Sequence, residues 1–482
     1  MTDASIRAEA EQLKEQANAA FQACKFSHAR ELYTRAIELD GSNPVYWANR
    51  AFTNVKLEEY GTAIMDATKA IELDRKYVKG YYRRGAAYLA LGKFKEGLKD
   101  LRQVCKIVPK DPDAMRKIRE CENAIKKLRF EEAVASDERR SVAGTIDYSA
   151  FVVEDSYTGA RIQGQHLDLA FVKQMMQDFK DEKRLHKRYA YQIMREALDL
   201  LSSLPSLVEV TIPDKCHITV CGDIHGQYYD LLNIFEMNGL PSNENPYLFN
   251  GDFVDRGSFS VEVILTLFAF KCLYPQGIYL ARGNHESQSM NKIYGFDGEV
   301  KAKYFSDVMP EYFSEIFCAL PLAHVLNSKV FVVHGGLFST DNVKLSDIRA
   351  IDRFKQPPDE GLMCEMLWSD PHPGLGRQPS KRGVGLSFGS DVTEKFLEQN
   401  NLDLVVRSHE VKPEGYEQEH KGKLITVFSA PNYCDQIGNK GAFVRFVAPH
   451  MKPEFTTFKD VPHPSVKPMA YAPQAYASSF GF

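Results

Sequence analysis

The sequence lacks three features that would place it outside the cell or in a membrane. Its nine cysteines form no CxxC pair, and an odd number does not fit a disulfide framework. We therefore expect reduced, buried thiols in an intracellular protein, located in the cytoplasm and the nucleus. No apolar run approaches the roughly 20 residues of a membrane span, and residues 1–10 lack the basic and then apolar pattern of a signal peptide. We expect no stable membrane insertion.

The chain also lacks a strong overall charge, but its charges are unevenly distributed. The formal net charge is −4, and we expect no nucleic-acid partner. Residues 1–130 hold 25 Lys and Arg against 18 Asp and Glu, which is +7, and the remainder holds 35 against 46, which is −11. A basic front region could receive an acidic peptide, and an acidic remainder could hold cations. Solvated helix faces explain the charge alone better, so named positions have to decide between these interpretations.

The front third of the 482-residue chain is an internal repeat. The string AIELD occupies residues 36–40 and again 70–74, a shift of 34, and residues 104–108 keep its apolar pattern. Three aromatic residues recur at the same interval: Phe26, Tyr60 and Phe94. A period of 34 with aromatic and small residues in register is typical of tetratricopeptide repeats, in which each unit is a pair of antiparallel helices.

This pattern predicts an all-α tetratricopeptide domain over residues 1–132. The three repeats span about 11–44, 45–78 and 79–112, and a charged helix over 115–132 caps the last one. The chain is longer than one ordinary core, so at least one further domain is expected behind the repeats.

The first helix of each repeat contributes to a concave face of the stack. Residues four apart share one face of a helix, and residues one period apart occupy equivalent places in successive repeats. By these two rules five side chains converge on one groove: Lys14, Asn18, Asn49, Lys79 and Arg83. Three cations and two amides suit a peptide with acidic side chains and a C-terminal carboxylate. Any one of these charges alone is better explained as a solvated surface residue, but their joint placement favours the groove.

Beyond the repeats, the chain divides into a linker, a second domain and a tail. Residues 133–164 lose helical periodicity and are rich in Asp, Ser, Gly and Thr, which predicts a linker. After Pro205 strands alternate with helices, and this alternation indicates α/β organisation. We assign residues 165–460 to this second domain and residues 461–482 to a C-terminal tail.

Five polar signatures each follow a short apolar run typical of a strand. They read GDIHG, GDFVDRG, RGNHE, HGG and RSHE, and they start at residues 222, 251, 282, 334 and 407. In an open α/β sheet, side chains at the carboxyl ends of strands point into the crevice where ligands bind. Five such ends bring carboxylates and imidazoles together, and a cluster of that kind predicts metal ions.

Two carboxylates, one amide oxygen and three imidazoles at these ends could hold two metal ions, with Asp252 as the bridge and His285 left over. The six residues are Asp223, His225, Asp252, Asn284, His334 and His409. Ligation by oxygen and nitrogen without thiolate suits iron, manganese or zinc better than a structural zinc site. Two such ions about 3.5–4 Å apart clamp the oxygens of an in-line phosphoryl displacement and convert a bridging water to hydroxide at neutral pH. A lone His after a strand is better explained as a core residue, but that explanation does not cover five strand ends.

Two arginines are candidates for the phosphate contact. Arg256 lies inside the second signature, four residues after Asp252, and Arg382 lies in a loop rich in Gly and Pro. Guanidinium groups bind phosphate oxygens as a fork and stay charged. Considered alone, either arginine would be explained as part of a surface ion pair. For Arg256, its position within the metal signature argues against this explanation.

These motifs carry a resemblance to a known family. GDIHGQ, GDFVDRG, RGNHE and the later SAPNYCD at residues 429–435 stand in the order of the metal-dependent serine/threonine protein phosphatases of the phosphoprotein phosphatase family. The match covers about residues 215–447, and the N-terminal tetratricopeptide stack and the tail sequence VPHPSVKPMAY resemble the type-five branch of that family. The resemblance implies a multidomain protein: a repeat superhelix followed by an α/β metallophosphoesterase sandwich with central β-sheets flanked by helices.

The resemblance also implies a role for each signature residue. The first metal ion would be held by Asp223, His225 and Asp252, and the second by Asp252, Asn284, His334 and His409. His285 would be the general acid that protonates the departing alkoxide, oriented by Asp255. The residues that contact the phosphate would be Arg256, Arg382 and Tyr433. Hydroxide that bridges the two metal ions would attack phosphoserine or phosphothreonine directly, without a covalent phosphoenzyme.

For the repeat domain, the resemblance implies that the carboxylate clamp binds the acidic C-terminal tail of heat-shock protein 90. It further implies autoinhibition, in which the repeats fold over the catalytic cleft and the chaperone or a fatty acid releases them. Glu58 occupies the matching position for a contact with the catalytic arginines, although an exposed charge at a helix end explains it equally well. The short C-terminal sequence QAYASSFGF departs from the relatives, so autoinhibition is expected to be weaker or differently held.

Two other functions fit parts of the sequence. The chain could be a chaperone-docking adaptor with an inactive phosphatase core, although the complete set of metal, acid and arginine positions argues against this. The core could also hydrolyse a nucleotide or another small phosphodiester. The predicted function is a serine/threonine protein phosphatase that acts on phosphoprotein substrates.

Overall fold

The computed structural model describes residues 3–134, 141–164, 166–474 and 477. The chain divides into two compact units. The first consists of Met1–Arg139, Pro379–Val384 and Pro473–Phe482, and the second of Arg140–Gln378 and Gly385–Ala472. The predicted linker and the predicted tail lie partly outside the described residues. The second unit begins within that linker and ends within that tail.

The first unit is helical. Its helices are α1 (Asp3–Gln22), α2 (Phe26–Leu39), α3 (Pro44–Lys56), α4 (Tyr60–Leu73), α5 (Val78–Ala90), α6 (Phe94–Ile107) and α7 (Pro112–Val134). Each packs mainly against its neighbours in the chain, as tetratricopeptide units do. The first six helices follow one another as three pairs and α7 comes after them. The predicted all-α tetratricopeptide fold of this region is confirmed.

The residues that recur in the sequence form the contacts between these helices. The aromatic residue at the start of the second helix of each pair is buried, as at Phe26 and Tyr60. The small residues Ala17, Ala51 and Gly85 are buried in the first helix of each pair, where a larger side chain would separate the helices.

A second repeating feature is a half-buried ion pair that links the two helices of a unit. Arg50 binds Asp66 in a fork, with nitrogen–oxygen distances of 2.7 and 2.8 Å, and Arg84 binds Asp100 in the same way at 2.8 Å. These pairs are one repeat apart, and both aspartates are buried. The sequence interpretation used the apolar and small residues of the repeat and missed this pair.

Ten α-helices lie in the second unit over the part of it that the structure describes. They are α8 (Leu169–Lys180), α9 (Lys187–Ser202), α10 (Tyr228–Asn238), α11 (Ser260–Leu273), α12 (Gln288–Tyr294), α13 (Phe296–Tyr304), α14 (Met309–Ala319), α15 (Leu345–Arg349), α16 (Leu362–Trp368) and α17 (Ser390–Asn400). Part of the predicted linker packs with them, because Ala143 and Ala160 are buried in the same apolar cluster as α8, α9 and α11.

Fourteen strands are described in the chain. They are β1 (Leu207–Val210), β2 (His217–Cys221), β3 (Tyr247–Phe249), β4 (Ile278–Leu280), β5 (Ala323–Leu326), β6 (Val330–Val333), β7 (Asp370–Pro371), β8 (Arg377–Pro379), β9 (Leu386–Phe388), β10 (Leu404–Arg407), β11 (Tyr416–Glu419), β12 (Leu424–Val427), β13 (Gly441–Val447) and β14 (Lys452–Phe458). One sheet has the order β1-β5-β6-β10-β12-β11, a second has the order β14-β13-β2-β3-β4, and a small third sheet has the order β7-β9-β8.

The two large sheets share an apolar core of mostly β-branched and other aliphatic side chains. Val220 and Leu248 of the five-stranded sheet belong to the same buried cluster as Val332 and Val406 of the six-stranded sheet. The larger cluster joins the five-stranded sheet to α8, α9, α11 and α14. Sheets flanked by helices form the predicted sandwich, so the fold class is confirmed. Among the residues that the structure describes, no helix has both the length and the apolar character needed to cross a membrane.

Candidate metal centre and the surrounding site

The five strands predicted from the apolar runs are β2, β3, β4, β6 and β10. The first three are parallel neighbours in one sheet, and β6 and β10 are parallel neighbours in the other. Parallel strands end at the same edge of their sheet, so the signatures that follow them lie close together. A bridge between Asp223 and Phe428 joins the strand ends of the two sheets. Gly222 permits this approach, because a side chain there would collide with the carbonyl oxygen of Val427.

The predicted ligands meet in one buried cluster. The ligand atoms of Asp252, His334 and His409 lie within 4.8 Å of one another. Those of Asp252, His225 and His285 do so as well, although His285 is the predicted general acid and not a predicted ligand. Asp252 therefore belongs to both groups, as expected of a bridging ligand.

The two remaining predicted ligands lie in the same cluster. His334 Nε2 is 2.9 Å from Asn284 Oδ1, and its Nδ1 is 3.9 Å from Asp223 Oδ1. Asp223 Oδ2 is also 3.8 Å from His225 Nε2. The structure thus brings together all six side chains that the sequence analysis named, from five separate loops.

Backbone carbonyls orient two of the imidazoles. His225 Nδ1 is 3.0 Å from the carbonyl oxygen of Val254, and His334 Nδ1 is 2.8 Å from that of Asn250. A carbonyl only accepts, so Nδ1 carries the proton in both rings and Nε2 presents its lone pair to the cluster. Burial lowers the pKa of both imidazoles, that of His225 well below its usual value, which keeps them neutral and able to ligate.

The composition of the cluster fits two divalent cations. Burial raises the pKa of Asp223 to about 8, because the surrounding protein disfavours its negative charge. A buried carboxylate without a counter-charge is costly, and a divalent cation would supply that counter-charge. The donors are carboxylate and amide oxygens and imidazole nitrogens without thiolate, which suits iron, manganese or zinc.

His285 forms a pair with Asp255 beside this cluster. The distance from His285 Nδ1 to Asp255 Oδ2 is 2.8 Å, and both side chains are buried. Burial raises the pKa of Asp255 to about 7, although the Phe296 amide and the Asn291 side chain donate to it at 2.9 and 3.0 Å. An imidazole held by a carboxylate in this way has the geometry of a positioned proton donor.

The loops of the site hold several non-glycine residues in the left-handed backbone region. His225, Asp252, Asp255, Arg256 and His409 have φ values of 46°, 49°, 71°, 69° and 71°. Such conformations cost of order 1 kcal/mol or more each and persist only where surrounding contacts enforce them. Here the contacts link one loop to another: the amides of Ile224 and His225 both donate to the carbonyl of Asp252, and the amide of Gly257 donates to that of His225.

The predicted phosphate-binding residues are distributed between the two units. Arg256 is buried in the second unit, and its guanidinium lies 4.0 Å from the centre of the Tyr294 ring. The Tyr433 ring centre is 5.2 Å from that of the predicted ligand His225. Arg382 lies in the segment Pro379–Val384, which groups with the first unit.

Glu58, the predicted autoinhibitory residue, also belongs to the first unit. Within that unit Glu58 Oε2 is 3.7 Å from Arg382 Nη1. Glu58 follows α3 and has a φ of 60°, so the turn that presents its carboxylate is itself in the left-handed region.

The predicted clamp residues lie on α1, α3 and α5 of the repeat unit. Asn18 Oδ1 accepts hydrogen bonds from Asn49 Nδ2 at 3.3 Å and from the Tyr33 hydroxyl at 2.6 Å. The Arg83 guanidinium lies 3.6 Å from the centre of the Phe52 ring, and burial lowers the pKa of Arg83 to about 10, which leaves it a cation at neutral pH.

The two lysines of the clamp have different surroundings from Asn18, Asn49 and Arg83. Lys14 pairs with Glu11 and Glu15, and Lys79 is exposed. Sequence analysis missed Tyr33, whose hydroxyl orients Asn18.

The comparisons with known proteins agree with this geometry. Residues 216–413 match the family described as Calcineurin-like phosphoesterase, residues 118–209 match the PPP5 TPR repeat region, and residues 78–111 match the Tetratricopeptide repeat. Serine/threonine-protein phosphatase 5 of Arabidopsis thaliana is 63% identical over 519 residues, with 96% of each chain covered. The chain belongs to the serine/threonine-protein phosphatase 5 family. The Homo sapiens member is 56% identical over 96% of this chain and 93% of its own.

A solved structure supports the same assignment. It is described as a protein serine/threonine phosphatase from Saccharomyces cerevisiae with similarity to human phosphatase PP5, and it is 45% identical to this chain. The match covers 63% of this chain and 100% of that chain, with a TM-score of 0.61. As a member of the serine/threonine-protein phosphatase 5 family, the chain is a serine/threonine protein phosphatase, so the predicted family and enzyme class are confirmed. The roles of the individual site residues stay predictions.

Two charged residues of the signatures stabilise the loops of this phosphatase. The sequence analysis gave neither of them a role. The Glu286 carboxylate accepts from the amides of Asp252 and Gly283 at 2.8 Å each and from the amide of Phe253 at 2.9 Å. The buried Arg407 donates to the carbonyl of Gly335 at 2.6 Å and to Asp370 at 2.7 Å. Both hold signature loops in place. In the sequence, only their position inside RGNHE and RSHE could have indicated these roles.

Proposed function

We propose that this phosphatase hydrolyses phosphoserine and phosphothreonine in phosphoproteins by direct attack of water at a two-metal centre. The observation that carries the proposal is the sharing of Asp252 between two buried groups of candidate ligand atoms, one of which contains His285, the residue that pairs with Asp255. A shared carboxylate suits two cations close enough to act on one phosphoryl group.

The cations would be manganese or iron, with zinc as a third choice, held by the six ligands named above. When bound, they would neutralise charge on the phosphoryl oxygens and lower the pKa of a water between them. Asp252 would contact both ions. The carbonyl-oriented imidazoles of His225 and His334 would each present Nε2 to one of them.

His285 would supply the proton that the departing serine or threonine oxygen needs. Because its Nδ1 is engaged by Asp255, Nε2 is the nitrogen assigned to the transfer. Asp255 would orient the ring and stabilise its positive charge, and Asn291 would orient Asp255. Arg256 and Arg382, with Tyr433, would bind the phosphate oxygens and place the phosphorus for in-line attack.

The repeat unit would receive the acidic C-terminal tail of heat-shock protein 90. The hydrogen-bonded pair Asn18 and Asn49 offers amide donors for a terminal carboxylate, and Arg83, Lys14 and Lys79 offer cations for acidic side chains. This arrangement supports the predicted clamp.

We further propose that Glu58 inhibits the enzyme by pairing with Arg382, a predicted phosphate ligand. The distance of 3.7 Å supports this pairing. Chaperone binding or a fatty acid would release it. A location in the cytoplasm and the nucleus is proposed from the nine free cysteines.

The decisive experiment compares His285→Ala with His450→Ala, a matched change at an exposed position, in the full-length protein. Turnover of a phosphoserine peptide should fall by about 10²–10⁴-fold for His285→Ala, the usual contribution of a general acid, and should be unchanged for His450→Ala. Elemental analysis should find two metal equivalents in both variants.

Unchanged turnover in His285→Ala would contradict the role of this residue. Faster hydrolysis of a dinucleotide than of the phosphopeptide by the unmodified protein would favour the phosphodiester alternative. A protein that binds metal and an acidic peptide but hydrolyses neither substrate would favour the adaptor alternative.

A further inference from the structure

The segment 461–472 after β14, here called the strap, contacts loops that surround the metal cluster. The amide of Val461 donates to Asp230 Oδ1 at 3.0 Å, and His463 Nε2 is 3.2 Å from Asp435 Oδ1. Further along, the Ser258 hydroxyl donates to the carbonyl of Lys467 at 2.6 Å. The strap therefore connects the first turn of α10 with the segments that follow β3 and β12.

The strap has its closest connection with Arg256. The amide of Met469 donates to the carbonyl of Arg256 at 2.7 Å, and the Met469 sulfur lies 3.8 Å from Arg256 Nη1. The same guanidinium lies over the Tyr294 ring. One strap residue thus contacts both the main chain and the side chain of an arginine that is itself buried.

The backbone of Arg256 requires such support. Asp255 and Arg256 are consecutive non-glycine residues with φ values of 71° and 69°, and each left-handed residue costs of order 1 kcal/mol or more. The amide of Arg256 donates to the carbonyl of Tyr294 at 3.2 Å, and its carbonyl accepts from Met469. The strap supplies the second of these two restraints.

Met469 itself occupies a position that favours glycine. Its φ is 55°, yet a methionine stands there and is buried to 3% exposure. A polarisable, unbranched thioether can fill the space beside a guanidinium and, because it is uncharged, forms no ion pair with it. The side chain therefore offers a contact that offsets the backbone cost of its position.

We propose that Met469 is a positioning residue for phosphate binding, which acts by holding the guanidinium of Arg256 in the orientation that the substrate phosphate requires. This inference rests on the proposed role of Arg256 as a phosphate ligand. It assigns the C-terminal strap a part in substrate binding.

The test uses Met469→Gly in the full-length, metal-loaded protein. Glycine keeps the amide that donates to Arg256 and relieves the left-handed backbone, so folding is preserved while the thioether is lost. We expect KM for a phosphoserine peptide and the inhibition constant of inorganic phosphate to rise roughly three- to tenfold, the effect of one lost oriented contact. We expect kcat and metal content to change little. Met469→Leu, which keeps the bulk, should recover part of the loss, and Lys467→Ala, at an exposed strap position, should have no effect.

A double-mutant cycle separates this inference from the proposed function. If the strap acts through Arg256, Met469→Gly should add nothing to the loss of phosphate inhibition caused by Arg256→Ala. If Arg256→Ala leaves phosphate inhibition unchanged, the proposed role of Arg256 is wrong, and the inference is wrong with it. If Arg256→Ala weakens inhibition and Met469→Gly lowers only thermal stability, the strap is purely structural and only the inference is overturned.

Discussion

The repeat unit and the catalytic unit differ in how far their functional charged side chains are exposed to solvent. In the clamp, Lys79 is exposed and Lys14 is paired with glutamates on its own helix. In the catalytic unit, Asp223 and Asp252 are each 1% exposed. Charges in water interact weakly and can be exchanged for those of a ligand, whereas buried charges need a fixed partner.

The two sites also differ in how far apart their residues lie along the chain. Asn18 and Asn49 meet across 31 positions, close to one repeat. The amide of His409 donates to Asp223 Oδ1 across 186 positions. The clamp is built from neighbouring helices, and the metal centre requires both sheets to be complete. We therefore expect graded effects from substitutions in the clamp and abrupt effects from substitutions in the metal centre.

The largest effect is expected for Asp252→Asn. Because Asp252 belongs to both ligand groups, the substitution should weaken binding of both ions by more than about 100-fold, the effect that loss of a supporting residue already produces. Phosphopeptide turnover should fall to background. Elemental analysis after dialysis measures the first effect, and Asp214→Asn, at an exposed position, is the control. Retention of two ions at normal occupancy would contradict the shared-ligand assignment.

A large effect on stability is expected in the repeat unit. Asp100→Ala leaves the Arg84 guanidinium half-buried without its carboxylate, and breaking a buried pair in this way costs about 3 kcal/mol. Glu96→Ala, at an exposed position on the same helix, should cost much less. Urea unfolding followed by circular dichroism would compare the two variants. Equal midpoints would show that the repeated ion pair does not stabilise the stack.

The two sites should differ in their response to pH. Burial raises the pKa of Asp223 to about 8, so below that pH the metal-free carboxyl holds a proton that a cation must displace. Metal affinity should therefore rise as the pH increases from 6 to 8, by up to about tenfold per unit for one proton released, and then level off.

Binding of an acidic peptide to the clamp should stay constant over the same range. The pKa of Arg83 is lowered by burial only to about 10, so its charge does not change there. Calorimetric titrations at several pH values would measure both affinities. A pH-independent metal affinity would contradict the role of Asp223 as a buried ligand.

In the clamp, Lys79→Ala should weaken binding of an acidic C-terminal peptide roughly tenfold, the lower end for a hydrogen bond to a charged group. Lys76→Ala removes the same charge from the turn before α5 and should have little effect. Isothermal calorimetry at low and high salt would distinguish a specific contact from general attraction. Equal affinities for the two variants would rule out the clamp.

The smallest effect is expected for Glu58→Ala. Loss of its pairing with Arg382 should raise basal phosphatase activity roughly two- to fivefold, as expected for a partly exposed ion pair. Glu38→Ala makes the same charge change at an exposed site and should leave activity unchanged. Activity that does not increase for Glu58→Ala, measured with a phosphopeptide, would contradict the autoinhibitory contact.

Sequence reasoning was most successful for features that depend on short, local patterns of residues. The period of 34 residues predicted the helix pairs, because each unit packs against its neighbours only. The apolar runs predicted the strands that carry the metal signatures, because a strand end and the loop that follows it are adjacent in the chain. The six proposed ligands were all named from these loops.

It missed residues whose partners lie elsewhere in the chain. Nothing near Glu286 indicates that its carboxylate holds the amides of Asp252 and Phe253, more than thirty positions away. The contact between Met469 and Arg256 spans 213 positions. The strap was predicted only as part of a tail. Its packing depends on the shape of the finished catalytic unit.

The amino-acid sequence by itself determined the repeat stack, the alternation of strands and helices along the chain and the chemical identity of the donors, because each depends on residue type and spacing along the chain. The tertiary structure alone decided that the Tyr33 hydroxyl holds Asn18, that Arg407 pairs with Asp370, and that Met469 lies beside Arg256. These are distances between side chains on different elements. They arise only when the sheets and helices have packed together and excluded water from the charges between them.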